Sequence, residues 1–143
     1  MTVKQISVFL ENKAGRLAAV TRALGDAGVN IRALCIADTA DFGILRIIVD
    51  QPDYAYEVLK KGGFSVTETD VIAVEVADVP GGLAGVLETM GEAQINIEYL
   101  YAFLTRASEN ALIVFRVENP EEAVNLLQER NVKVLPGEVV YRL

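Results

Sequence analysis

The chain contains no histidine and a single cysteine, and its 13 basic residues are outnumbered by 20 acidic ones. Without histidine, the commonest general base and the commonest zinc ligand are both missing. Cys35 has no second cysteine to pair with, and its neighbours Leu34, Ile36 and Ala37 are apolar. A buried structural thiol is therefore expected rather than a reactive one. The formal net charge of −7 repels phosphate backbones, and no basic cluster compensates locally, so no nucleic acid partner is expected. Apolar runs are short, YLYAFL at 99–104 being typical, far below the ~20 residues of a membrane-spanning helix. Thr2 to Ser7 alternates like a strand rather than a leader. These absences together favour a soluble, cytoplasmic protein.

Catalytic constellations are equally scarce. Asp38 and Asp41 flank a turn, and Glu121-Glu122 opens a helix where acidic residues suit the macrodipole. Both are read as solvated element ends. No phosphate-binding loop with its lysine is present, and no cluster has metal-ligand spacing. No catalytic residue, cofactor or metal is assigned, and the chain is not expected to be an enzyme.

What the chain does have is a repeat. At a shift of 66, residues 6–34 match residues 72–100 at 11 of 29 positions, where unrelated segments share roughly two. After a two-residue insertion, Pro52 meets Pro120 and Val66 meets Val134. Two homologous domains follow, at 1–69 and 70–143, with a linker of a few residues around Thr69-Asp70.

Each copy reads the same way. Ile6, Val8 and Leu10 alternate as a strand. Leu17, Val20, Leu24 and Ala27 share one helical face, as do Leu83, Val86, Met90 and Ala93 in the copy. Gly28 ends the first helix. Strands follow over about 30–37 and 43–50, Pro52 and Pro120 open second helices, and last strands begin near Phe64 and Val132. The order strand-helix-strand-strand-helix-strand predicts an α+β fold. It consists of two ferredoxin-like βαββαβ units packed side by side, with antiparallel sheets and both helices on one face. The segment at 138–143 aligns with 70–72 and is expected as an extra edge strand. Strict alternation puts Phe9, Leu34, Ile36, Ile44 and Ile48 on the sheet face away from the helices. That face is too apolar to stay in water, so a second chain or the second unit is expected to cover it. In the second unit the corresponding face carries Glu75, Leu100, Val114 and Arg116, and Tyr99, Tyr101 and Phe103 share Ile97's face.

The two strand-to-helix loops stand out. Asn12-Lys13-Ala14-Gly15-Arg16-Leu17 and Asp78-Val79-Pro80-Gly81-Gly82-Leu83 lead directly into helices. A helix start offers free N–H groups and partial positive charge, and bare glycines let a small carboxylate approach the backbone. The same residues also suit a simple turn with Asp78 as a cap. In both copies an asparagine follows 18 positions after the loop's first residue: Asn30 after Asn12, and Asn96 after Asp78. Asparagine is a poor strand former, so its recurrence suits either a turn or contact with a ligand's polar head.

On these motifs the chain resembles the ACT-domain family, small regulatory modules of amino-acid metabolism. The matching pattern is a first strand, D/N-x-P/A-G-x-L, an amphipathic helix and (V/I)-N-I, present twice across essentially the whole chain. Free-standing tandem proteins of this size are what it most closely looks like. The resemblance implies paired modules with an amino acid at their interface, no cofactor, and signalling to a partner enzyme. Carried over by position, Asp78, Pro80, Gly81, Gly82 and Leu83 would face Asn30 and Ile31. The pseudo-symmetric site would set Asn12, Gly15, Arg16 and Leu17 against Asn96 and Ile97. The first copy departs from the pattern at Ala14 and Arg16, and Arg16 either clamps a carboxylate or fills the pocket. The site built on Asp78 is therefore the favoured one. A homodimer is expected, and the alternative is a ligand-free scaffold that keeps the fold.

Overall fold

The computed structural model describes residues 1–38, 41–105 and 108–143. The turn between Asp38 and Asp41 falls at 39–40, outside the described residues. Its elements run β1 (Val3–Glu11), α1 (Arg16–Asp26), β2 (Ile31–Asp38), β3 (Phe42–Val49), α2 (Pro52–Lys61) and β4 (Ser65–Val76). They continue as α3 (Gly82–Glu92), β5 (Ile97–Ala102), β6 (Ala111–Val117), α4 (Pro120–Glu129), β7 (Val134–Leu135) and α5 (Gly137–Val140). Two compact units result, Lys4–Thr69 and Asp70–Leu143 together with Met1–Val3.

In the first unit the sheet order is β2-β3-β1-β4. The antiparallel β1–β3 register sets Ile6 opposite Ile47 and Val8 opposite Leu45. Residues directly opposite share a face, so these pairs form one apolar layer. Val20 and Leu24 of α1 and Ala55 and Leu59 of α2 close over that layer in a single cluster. Both helices therefore lie on one face, as a period of two in the strands and 3.6 in the helices demands.

The second unit repeats this plan with order β7-β4-β6-β5. Its core gathers Ile72, Val74, Phe115 and Val117 of the sheet under Val86 and Met90 of α3 and Leu127 of α4. Helix ends show how the copies diverged. Gly28 and Gly63 stand at φ 74° and 85°, and their counterparts Gln94 and Asn131 hold the same left-handed turn at φ 60° each. The same turn is held with glycine in one copy and without it in the other.

Three expectations need correction. The first concerns the strand faces. β2 shifts register between Ile31 and Ala33, placing Leu34 opposite Ile47 and Ile36 opposite Leu45. Leu34 and Ile36 therefore lie on the helix face, and Ala33 and Cys35 take the outer one. β5 shifts identically between Ile97 and Tyr99, so Leu100 meets Phe115 while Tyr99 and Tyr101 oppose Arg116 and Val114. A β-bulge adds one residue, and a one-residue slip sends every later side chain to the other face. Second, no loop separates the repeats at Thr69-Asp70: β4 runs unbroken from Ser65 to Val76. Third, the C-terminal segment is a short helix rather than an edge strand. Pro136 lacks the N–H a longer ladder needs, so β7 stops at Leu135 and the chain turns helical, with Val140 fully buried.

Cys35 also differs from expectation, being only partly buried. Desolvation nonetheless pushes its thiol pKa up, against the pull of Arg46 beside it.

Candidate functional site

Both strand-to-helix loops fold alike. Gly15 caps α1 at φ 87°, ψ −13°, and Gly81 caps α3 at φ 82°, ψ −5°. Only glycine adopts this left-handed conformation without strain, and here it offers no capping side chain. A turn precedes each cap: the Arg16 N–H donates to the Lys13 carbonyl at 3.3 Å, and the Gly82 N–H to the Val79 carbonyl at 3.0 Å. The first free turn of each helix carries no acidic residue.

Beyond this shared frame the loops part ways. A Cβ on Gly81 or Gly15 would meet nothing within 4 Å. A Cβ on Gly82 would run into the Ala77 carbonyl oxygen, its own chain's backbone. The bare position at Gly82 thus makes room for that carbonyl. In the first copy the same position is Arg16, whose guanidinium lies over the Phe64 ring, 5.7 Å from its centroid.

Beside the first loop lies a cavity of about 140 Å³. Asn12, Arg16 and Leu17 line it from the loop and α1, and Leu10, Ile36 and Gly43 from the sheet. The bulge in β2 is what brings Ile36 to this face. Gly43 lets it lie close, since an added Cβ would sit 3.2 Å from Ile36 Cδ1. Glu11 and Lys13 flank the opening and pair with each other at 2.9 Å. The Lys13 ammonium holds the Glu11 carboxyl below the usual carboxylate range, by hydrogen bond and by charge. The Arg16 charge adds a smaller pull on the same carboxyl.

The asparagines occupy the opposite end of each unit. Glu11 pairs with Phe42 and Asp38 with Gly43 at the loop end, while Ile31 pairs with Val49 at the other. A unit therefore does not bring its own loop to its own asparagine. The Asn30 N–H donates to Asp50 Oδ1 at 2.9 Å, and the Asp50 N–H returns to the Asn30 carbonyl at 3.1 Å. Gln51 Nε2 donates to the Gly28 carbonyl at 3.2 Å, so this turn is firmly tied. Ile31 packs against the first core and Ile97 against the second.

Asn96 stands in a more open place, a cleft of about 610 Å³ at the same end of the second unit. Asp70, Glu118, Glu121 and Glu122 rim it. In the first copy, the residues matching Asp70 and Glu121 are Lys4 and Asp53, which form an ion pair at 2.7 Å. The second copy has an aspartate where the first has that lysine, and the carboxylate-rich rim favours positive charge.

Sequence reasoning named Asn12, Arg16 and Leu17 but missed Leu10, Ile36 and Gly43 as walls and Phe64 as the platform. One signal was available: Ile31 to Leu34, and Ile97 to Leu100, are apolar steps of three in segments that otherwise alternate by two. Among the described residues, no group of His, Cys, Asp or Glu side chains is placed to hold a metal, and no helix is long and apolar enough to cross a membrane.

Comparison with known proteins gives concordant results. A family model described as an ACT domain pair matches residues 1–142. Protein BT0572 from Bacteroides thetaiotaomicron is 43% identical, with a TM-score of 0.93 over 100% of this chain and 98% of that one. The ligand-free regulatory subunit of aspartate kinase from Thermus thermophilus is 16% identical, with a TM-score of 0.65 over 88% of this chain and 91% of that one. The Thermus flavus counterpart is 18% identical at a TM-score of 0.62, covering 88% and 90%. At that identity the likeness is one of fold. No curated protein matches.

Proposed function

The chain belongs to the ACT domain pair family, and from that premise we propose that it is a non-catalytic regulatory protein. It binds an amino acid between paired ACT modules and transmits occupancy to a partner enzyme of amino-acid metabolism. The observation that carries this reading is the loop built twice: a left-handed glycine cap leading into a helix start with no acidic residue in its first turn. Such an end suits a carboxylate.

The ligand contacts proposed are Asp78, Pro80, Gly81, Gly82 and Leu83 with Asn30 and Ile31 of the module they pair with. The second set is Asn12, Gly15, Arg16 and Leu17 with Asn96 and Ile97. Asn96 lies among carboxylates that favour an ammonium, which complements a carboxylate-binding loop. A unit separates its loop from its asparagine, so the proposed site draws on two modules; a homodimer is a separate part of the proposal. The aspartate kinase regulatory subunits share the fold, and their role is in keeping with a regulatory one here.

A thermal-shift screen of the twenty amino acids on the full chain tests this. A ligand at 100 times its Kd adds about 2.7 kcal/mol, or about 5–10 °C in Tm for a chain of this size. Light scattering should report a dimer. If none of the twenty shifts Tm and calorimetry agrees, the ligand-free scaffold reading takes its place.

A further inference from the structure

The two loops diverge where a ligand's specificity would be decided, and the cavity beside the first loop has a defined chemistry. We infer that this cavity takes an amino acid with a short aliphatic side chain and that Arg16 binds its carboxylate. The inference rests on the ligand-binding reading above and names the side-chain class that the first-loop part of that site would take.

Three features of the cavity set the class. Its walls, Leu10, Leu17 and Ile36, are apolar, and Leu17 and Ile36 remain 42% and 53% exposed, so their surface is there to be covered. Its volume is about 140 Å³, well below the hundreds of Å³ of a drug-sized site. A cavity of about 150 Å³ takes a benzene-sized group of about six non-hydrogen atoms. The α-carbon and side chain of valine or leucine amount to about four or five such atoms and fit within it, whereas those of phenylalanine, about eight, extend beyond it.

Charge decides the rest. The lining carries two cations, Lys13 and Arg16, against one carboxylate, Glu11, which pairs with Lys13 at 2.9 Å and also feels Arg16, so its net charge is positive. The Arg16 guanidinium lies over the Phe64 ring at 5.7 Å, and a guanidinium fork is suited to a carboxylate. A basic side chain in the cavity would meet like charge. An acidic one would set a second carboxylate against Leu10, Leu17 and Ile36, where an unpaired charge is costly. In the second copy Gly82 replaces the arginine, and the carbonyl of Ala77 fills the space beside it, so this selectivity belongs to the first loop.

Calorimetric titration of the full chain with valine, leucine and isoleucine, against phenylalanine, lysine and aspartate, tests the assignment. The aliphatic amino acids should bind about tenfold more tightly or better than the others. Arg16→Gln should weaken them by about tenfold or more, the worth of one charged hydrogen bond. Arg22→Gln, an exposed arginine on the same helix paired to Asp26, should leave them unchanged. Ile36→Trp, on an exposed side chain, should fill the cavity and abolish binding even if Arg16→Gln perturbs the fold. A preference for an aromatic, basic or acidic amino acid, or aliphatic binding that survives both Arg16→Gln and Ile36→Trp, overturns this inference while leaving amino-acid binding intact. If none of the twenty amino acids binds, the broader reading fails with it.

Discussion

Replacing Gly82 with alanine separates two reasons for a glycine at the start of α3. If the position is bare to admit a ligand, a methyl group costs the free protein nothing and removes only ligand binding. If it is bare to admit the Ala77 carbonyl, the methyl group costs stability whether ligand is present or not. The geometry supports the second. The added Cβ would overlap the Ala77 oxygen and stand 3.0 Å from its carbonyl carbon, and a backbone atom cannot rotate aside as a side chain can. Overpacking of this kind costs about 1–3 kcal/mol, so a loss near 2 kcal/mol is expected, or about 4–8 °C in Tm for a chain of this length. Two neighbours serve as controls in the same helix. Gly81→Ala forces a left-handed alanine at φ 82° into open space, at about 1–2 kcal/mol. Gly85→Ala has nothing within 4 Å and an ordinary helical backbone, so it should gain about 0.5–1 kcal/mol. Thermal melts followed by circular dichroism, checked by urea titration, give the order Gly85→Ala, wild type, Gly81→Ala, Gly82→Ala from most to least stable. A Gly82→Ala protein that melts with wild type while losing its ligand response refutes the reasoning.

Asp70→Lys restores at the second copy's cleft the cation that Lys4 provides in the first, opposite Glu121 instead of Asp53. It should raise stability by about 0.2–1 kcal/mol in low salt, with the gain shrinking at 1 M salt; an equal gain at both ionic strengths argues against a charge effect. Cys35, whose thiol pKa burial pushes up, should react slowly with a thiol reagent at pH 7 and speed up as the pH passes 9. Rapid, complete labelling at pH 7 would show a thiolate that this environment does not favour.

Much of the fold was legible because its signals are local. Val8 and Leu10, Val20 and Leu24, and Pro52 and Pro120 mark strand, helix and helix start through short-range periodicity and backbone restriction, and the repeat doubles each signal. The candidate site was legible only as residue types at loop positions. Asn12, Arg16 and Leu17 were found by comparing the copies. Ile36 and Gly43 reach the cavity across the sheet, and Phe64 reaches Arg16 from the far end of the unit's sequence.

By itself the sequence determined that two βαββαβ units exist, which helix and strand faces are apolar, and where the loops enter helices. These depend on contacts within a few residues along the chain. The tertiary structure decided that β4 runs on through both repeats, that a bulge turns Leu34 and Ile36 toward the helices, and that the Ala77 carbonyl lies against the bare position at Gly82. Each depends on what lies opposite in space. The register of one strand against another, and the approach of one backbone to another, are settled by packing the whole unit at once.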